Sequence, residues 1–285
     1  MSKTLIGISS YGNIDFTRLA VRSIRETAAK DVEVLIVVGK PGDDETKQFA
    51  QQLADHVIVH DRNWGFPASC NDIFDAAWKL QPEKFDNVIL MGNDVVAYPG
   101  CIDGLIEMAE TGKWEQICGT QYDVQSLLRD HPEQAVHFSG PNYNFTDFTQ
   151  RPWDAHTPRT EYGEEPGALK DIQNMTLYTR GAFERLGYFD VRFWPNGYYS
   201  DNDYARRGVN AAMKGVGAPH CEFYHAWSRT IHQGEARPHN VYFDRNRAYY
   251  VSKWGGDFGN ETRRALSHIG SRAYEAKVID QLSKS

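Results

Sequence analysis

The sequence predicts an α/β protein with a mostly parallel central sheet, helices on both faces and further helices at the C-terminus. Two observations carry that expectation. Apolar, strand-like runs alternate with amphipathic helical stretches through the first third of the chain, and each run breaks into a Gly-, Asn-, Asp- or Ser-containing loop. At 285 residues, with 41% hydrophobic and 24% charged residues, the chain is also long enough to bury its own core.

Residues 4–9 (TLIGIS) are a short apolar run closed by SSYGN, and a helix rich in Leu, Ala, Val and Ile follows over about 16–29. Residues 31–38 (DVEVLIVV) form the second strand, which breaks at GKPGDD before a helix over 45–54. A short third strand at 57–60 leads through Asn63 and Gly65 into a helix from about Ala68, with Phe74, Ala77 and Trp78 on one side. The fourth strand is the uninterrupted run Val88, Ile89, Leu90 and Met91, which predicts burial on both faces. Right-handed crossovers gather the loops after strands one, two and four at one edge.

The fourth strand ends at Gly92, Asn93 and Asp94. Ligands of open α/β sheets bind beyond the carboxyl ends of the strands, so an Asp there is placed to hold a divalent metal or a ribose. The same three residues also serve simply to turn a chain. No GxGxxG follows the first strand and no GxxxxGK[ST] occurs anywhere, which argues against dinucleotide-binding and P-loop sites.

From 117 to 171 the pattern loosens into a polar, aromatic stretch, read as a lid or acceptor-binding region that orders on ligand binding over about 138–167. A strand-like run follows over 172–179, then a helix over 181–186. Asp201 and Asp203 flank Asn202 at the start of the next amphipathic helix, where the helix dipole favours carboxylates. Both acids as caps is the plain reading, and one cap with one functional acid is the other. A short strand over 221–225 and a helical region over 242–285 complete the chain. Trp153, Tyr188, Trp194, Tyr198 and Tyr199 are candidates to stack on a ligand's rings or to pack internally.

A net charge of −7 argues against a broad phosphate-binding face, and three Arg pairs (Arg206/Arg207, Arg245/Arg247, Arg263/Arg264) read as solvated helix faces. No window approaches the ~18 apolar residues of a membrane span, and the first residues lack a signal-peptide pattern, so a cytoplasmic protein is expected. Cys70, Cys101, Cys118 and Cys221 are scattered without a CxxC pair and read as buried thiols.

Taken in order, the segments resemble glycosyltransferase family 2, inverting enzymes of the glycosyltransferase A fold. The matching stretches are LIGISSYGN, NWGFPASCN, VILMGNDVVAYPGCIDGL, MTLYTRGAFERLGYFDVRF, YYSDNDYARRG and, near the end, FYHAWSRT with FDRNRAYYVSKWGG. The resemblance implies one glycosyltransferase A-type domain: 1–118 the nucleotide-sugar-binding half, 119–235 the acceptor and catalytic half, 236–285 a C-terminal helical region. Ser9, Tyr11, Asn63, Gly65, Asn71 and Asn93 would bind the donor, a nucleoside-diphosphate sugar with a UDP-sugar first among them. Asp94 would take the last place of the family's D-x-D motif and, with His225, hold Mn²⁺ or Mg²⁺. Asp201 would be the general base, with Asp203 its substitute or, like Trp194, an acceptor-binding residue.

The chemistry of such a transfer asks for these residue types. A cation held by hard ligands offsets charge developing on the diphosphate, and one carboxylate removes the acceptor proton. Gly92 replaces the first acid of D-x-D, Ser200 replaces a frequent Glu, and Val38, Gly39 and Lys40 lack the acid that often reads the base. Two alternatives stay open: a catalytically weak or dead carbohydrate-binding relative, suggested by Gly92, and a nucleotidyltransferase. The second normally needs a basic, Gly-rich loop after strand one, and SSYGN contains no Lys or Arg. The acceptor is left as a glycan, a lipid-linked sugar, a protein or a modified nucleobase.

Overall fold

In the computed structural model the alternating N-terminal pattern becomes β1 (Thr4–Ser10), α1 (Ile14–Thr27), β2 (Val32–Val38), α2 (Asp44–Leu53), β3 (His56–Val59), α3 (Phe66–Trp78) and β4 (Asn87–Gly92). After these come β5 (Val95–Ala97), α4 (Cys101–Glu110), β6 (Gln116–Tyr122), β7 (Phe138–Ser139), β8 (Asn144–Phe145) and β9 (Glu165–Pro166). The chain continues through β10 (Met175–Thr179), α5 (Arg180–Leu186), α6 (Ser200–Asn210), β11 (Gly215–His225), α7 (His239–Trp254) and α8 (Arg272–Leu282). The structure describes residues 3–122, 174–226, 239–263 and 272–283, with short pieces at 128–129, 132, 138–139, 144–145, 149, 151, 153 and 165–166. Most of the expected lid over 138–167 lies outside them.

The main sheet runs β3-β2-β1-β4-β10-β6-β11-β5. From β3 to β4 all pairing is parallel, as the crossovers require. Strand β4 alternates between two cores: Ile89 and Met91 join Ile6, Ile8 and Ile36 under α1, α2 and α4, whereas Val88 and Leu90 join Leu5, Leu35 and Val37 under α3. That two-sided burial is what its unbroken apolar run encodes. All four cysteines are free and buried.

Beyond β4 the sheet is mixed, because β10 inserts antiparallel between β4 and β6. Two strands here differ from expectation. QICGTQY falls inside the stretch read as irregular but forms β6, held by non-local partners β10 and β11 on either side. Strand β11 is eleven residues long, not five, because its Gly- and Pro-rich first half reads as turn. Pro219 is accommodated in the register irregularity between Ala218 and Glu222, where the ladder does not need its missing N–H. No described helix is long and apolar enough to cross a membrane.

Candidate active site

Register brings the parallel strand ends level: Ser9 pairs with both Val37 and Gly92. The loops leaving those ends, with the segment before α6 and the start of α7, enclose a cavity of about 670 Å³. Ser9, Tyr11, Asn63, Gly65, Asn93, Asp94, Trp194, Asp201 and His225 line it, so nine of the eleven expected site residues meet there.

Two loops close one rim together. Trp194 Nε1 donates to the Asn63 carbonyl at 2.9 Å, and the Phe66 N–H donates to the Pro195 carbonyl at 2.9 Å. Gly65 has φ 82°, and a Cβ there would fall 2.6 Å from Trp194 Cδ1 and 2.9 Å from the Pro195 carbonyl oxygen. Only glycine permits that approach.

Asp94 lies just past β4, largely buried, with Oδ1 3.3 Å from His225 Nε2. The sheet makes this meeting, because His225 at the end of β11 pairs with Val95. Asn174 Nδ2 lies 3.2 Å from His225 Nδ1 and donates to Gln121 Oε1 at 3.1 Å. With an amide donor at Nδ1, the ring proton sits on Nε2 and faces Asp94. Asn93, in turn, ties β4 to the first loop, its Nδ2 donating to the Gly12 carbonyl at 3.3 Å and to Thr17 Oγ1 at 3.2 Å.

Asp94 and His225 suit a divalent cation in one particular way. A Cβ at position 92 would lie 3.2 Å from Asp94 Oδ1, so the side chain that glycine lacks would have pointed at this carboxylate. Among the described residues no group of three or more His, Cys, Asp or Glu is placed to hold a metal. The Asp94 carboxylate fits the mode in which one acid, substrate phosphates and water hold Mg²⁺ or Mn²⁺, and the softer His225 imidazole would add a ligand better suited to Mn²⁺ than to Mg²⁺. Ligation through Nε2 would require the ring proton on Nδ1, with the Asn174 amide turned to accept it.

Asp201 is the second residue of α6. Tyr199 precedes it in the left-handed region with φ 67°, and Ser200 is fully buried, its hydroxyl donating to the Gly197 carbonyl at 2.5 Å. The turn thus puts the small residue inward and the acid toward the cavity, where Asp201 Oδ1 accepts from the Asn202 N–H at 2.9 Å.

Asp203 and Asn71 do not line the cavity. Asp203 is fully buried: Oδ2 accepts from Arg207 Nε at 3.1 Å, and Oδ1 accepts from Trp254 Nε1 at 2.9 Å and pairs with Lys253 at 2.6 Å. It braces α6 against α7, which removes it as a substitute base or acceptor contact, and Arg207 is its buried partner rather than part of a solvated face. Asn71 is buried as well. Its amide donates to the Phe189 carbonyl at 3.0 Å and to Glu275 at 2.7 Å, and its oxygen accepts from the Phe189 N–H at 2.7 Å. Neither residue meets the cavity, because a helix shows the same residue types on its inner and outer faces. Trp153 and Tyr188 are likewise buried in packing, while Trp194, Tyr198 and Tyr199 line the cavity.

Sequence reasoning did not assign Gln121, Asn174, Tyr242, Phe243 or Phe258, which also line it. Tyr242 immediately precedes FDRNRAYY and Phe243 opens it, and their adjacent aromatic rings were the available signal. Among the described lining residues there is no Lys or Arg, and Asp94 and Asp201 are the acids.

The profile of glycosyl transferase family 2 matches residues 5–187, well over half the chain. The chain belongs to this family. Its fold is the glycosyltransferase A fold: two crystal structures of S. aureus TarS superpose with a TM-score of 0.55 each at 11% identity. The structure of TarS residues 1–349 is matched over 79% of this chain and 60% of its own, and the second TarS structure over 99% and 43%. This chain therefore spans less than two thirds of those neighbours. No curated protein matches its sequence.

Proposed function

We propose that this chain is a metal-dependent, inverting glycosyltransferase that moves a sugar from a nucleoside-diphosphate donor to an acceptor hydroxyl. The observation that carries the reading is the meeting of Asp94 and His225 with Asp201 in one cavity whose described lining has no Lys or Arg. A diphosphate brought beside two carboxylates needs a cation, and Asp94 with His225 would hold it. When bound, Mn²⁺ or Mg²⁺ offsets charge developing on the leaving diphosphate.

The chain's own groups account for the rest. Ser9, Tyr11, Asn63 and Gly65 bind the nucleotide side of the donor, a UDP-sugar first among the candidates, in a portion of the domain spanning 1–118. Residues 119–235 provide the acceptor and catalytic half, and 236–285 a C-terminal helical region. Asp201 accepts the proton of the acceptor hydroxyl as its oxygen bonds to the anomeric carbon and the bond from that carbon to the diphosphate breaks. Attack from the face opposite the diphosphate inverts the configuration, so an α-linked donor yields a β-linked product.

Donor hydrolysis across a panel of nucleotide-sugars, with and without Mn²⁺, tests the reading. Turnover that depends on Mn²⁺ supports it; turnover undiminished in EDTA overturns the metal role, and retained configuration in the product overturns inversion. A second reading, a non-catalytic carbohydrate-binding relative, is favoured only by Gly92. It would be sustained by sugar binding with no turnover of any donor.

A further inference from the structure

We propose that the cavity wall formed by Tyr198, Tyr199, Tyr242 and Phe243, with Phe258 at its rim, is an acceptor subsite for an uncharged sugar ring. The inference deepens the glycosyltransferase reading and rests on it. It concerns residues beyond 187, where the family profile ends.

Three segments distant in sequence build this wall. Tyr198 and Tyr199 immediately precede the α6 turn that delivers Asp201, and Phe243 comes from the first part of α7. The Phe243 ring centroid lies 5.4 Å from that of Tyr198 with the planes at 76°, and 5.5 Å from that of Tyr199 at 56°. Tyr242 meets Trp194 at 6.1 Å and 80°. Tyr198, Tyr242, Phe243 and Phe258 are not part of the buried core, and Phe243 and Phe258 remain 38% and 41% exposed. Large rings held at a cavity mouth in contact with water gain from a ligand that covers them.

The chemistry of that ligand follows from shape and charge. Rings meeting at 56–80° form a one-sided corner, whose open ring face receives the C–H face of a pyranose. Burial pushes the Tyr198 hydroxyl up to about 12, so it stays protonated as a donor to a sugar oxygen. The described lining holds no Lys or Arg, and its acids are Asp94 and Asp201. Behind the wall, the Arg245 guanidinium packs 5.2 Å from the Tyr242 ring centroid and is engaged by the Trp194 carbonyl, and the Tyr199 hydroxyl donates to Asp257 at 3.2 Å; neither charged group lines the cavity. A phosphate, uronate or sialate acceptor would bring a further negative charge into a lining whose described ionisable acids are carboxylates, whereas a neutral ring brings only its hydroxyls.

The full chain, saturated with UDP and Mn²⁺ after calorimetry has established that binding, is titrated with uncharged methyl glycosides and neutral oligosaccharides. Glucuronide and sugar-6-phosphate counterparts are titrated in parallel, and binding is followed by saturation-transfer NMR. An uncharged glycan is expected to bind, with at least tenfold weaker binding in Phe243→Ala, recovery in Phe243→Tyr, and UDP affinity within about twofold of the unmodified chain. Failure of every uncharged glycan, equal or tighter binding of the anionic counterparts, or undiminished binding in Phe243→Ala overturns the subsite while leaving the donor reading in place. Failure of the unmodified chain to bind any nucleoside diphosphate overturns the glycosyltransferase reading itself.

Discussion

Asp94 sits past β4 against His225, whereas Asp201 lines the same cavity from a different element, the first turn of α6. That separation predicts two distinct losses. Asp201→Asn is expected to lower kcat by roughly 10²–10⁴-fold with donor affinity nearly intact, because a general base acts mainly in the transition state. Asp94→Ala is expected to weaken nucleoside-diphosphate binding in Mn²⁺ and to change little in EDTA; paired kinetics and calorimetry check both. Asn71 makes the opposite case. Its three buried hydrogen bonds tie α3 to Phe189 and to Glu275 of α8. Asn71→Ala should cost about 1–3 kcal/mol in urea unfolding, since buried partners lose their bonds, and should leave nucleotide affinity unchanged.

At the scale of elements, the position of α6 depends on α7. Lys253 reaches Asp190 at 3.0 Å and Asp203 at 2.6 Å, and both carboxylates are fully buried. Tyr250 and Trp254 of the same helix pack on Phe193, just ahead of Trp194. The helix therefore holds the segment that presents Trp194, Tyr198 and Asp201. Lys253→Met leaves two buried acids short of a cation and should destabilise the fold by about 3–5 kcal/mol, the range for breaking a buried pair. Where the variant remains folded, a rise in the acceptor KM is expected from kinetics, because the aromatic wall moves with the helix.

For the molecule as a whole, several carboxylates tie distant segments together and do so best when ionised. Burial alone would raise Glu115, but the Lys214 N–H and Arg185 outweigh it and hold the group below its ordinary value of 4.5. Glu33 behaves alike through Lys84 and His56, and Asp55 through the Val34 N–H and Arg25, each against the cost of burial. A carboxyl lowered in the folded state contributes stability above its unfolded pKa and loses it as pH falls through the folded one. Thermal midpoints are expected to hold near neutral pH and to decline below about 4.5. In Glu115→Gln that decline should be shallower from a lower neutral value.

The sequence by itself determined the parallel half of the sheet and the edge at which its loops gather. Val88 to Met91 are apolar at every position, and a strand with that composition has nowhere to go but between two helical layers. Local chemistry likewise marked Asp94 and Asp201, since an acid at a strand end or in a first helical turn is visible in a short window. Only the tertiary structure decided which polar residues face the cavity and which face inward. Asp201 and Asp203 stand two positions apart in one helical turn, yet Asp203 turns into the core because Arg207, Trp254 and Lys253 await it there. Strand β6 and the first half of β11 were equally illegible, because their stability comes from partners far along the chain and not from their own periodicity. Tyr242 and Phe243 reach the cavity for the same reason: a half-buried lysine between two distant, fully buried aspartates anchors α7, and no local pattern in its own residues records where those partners lie.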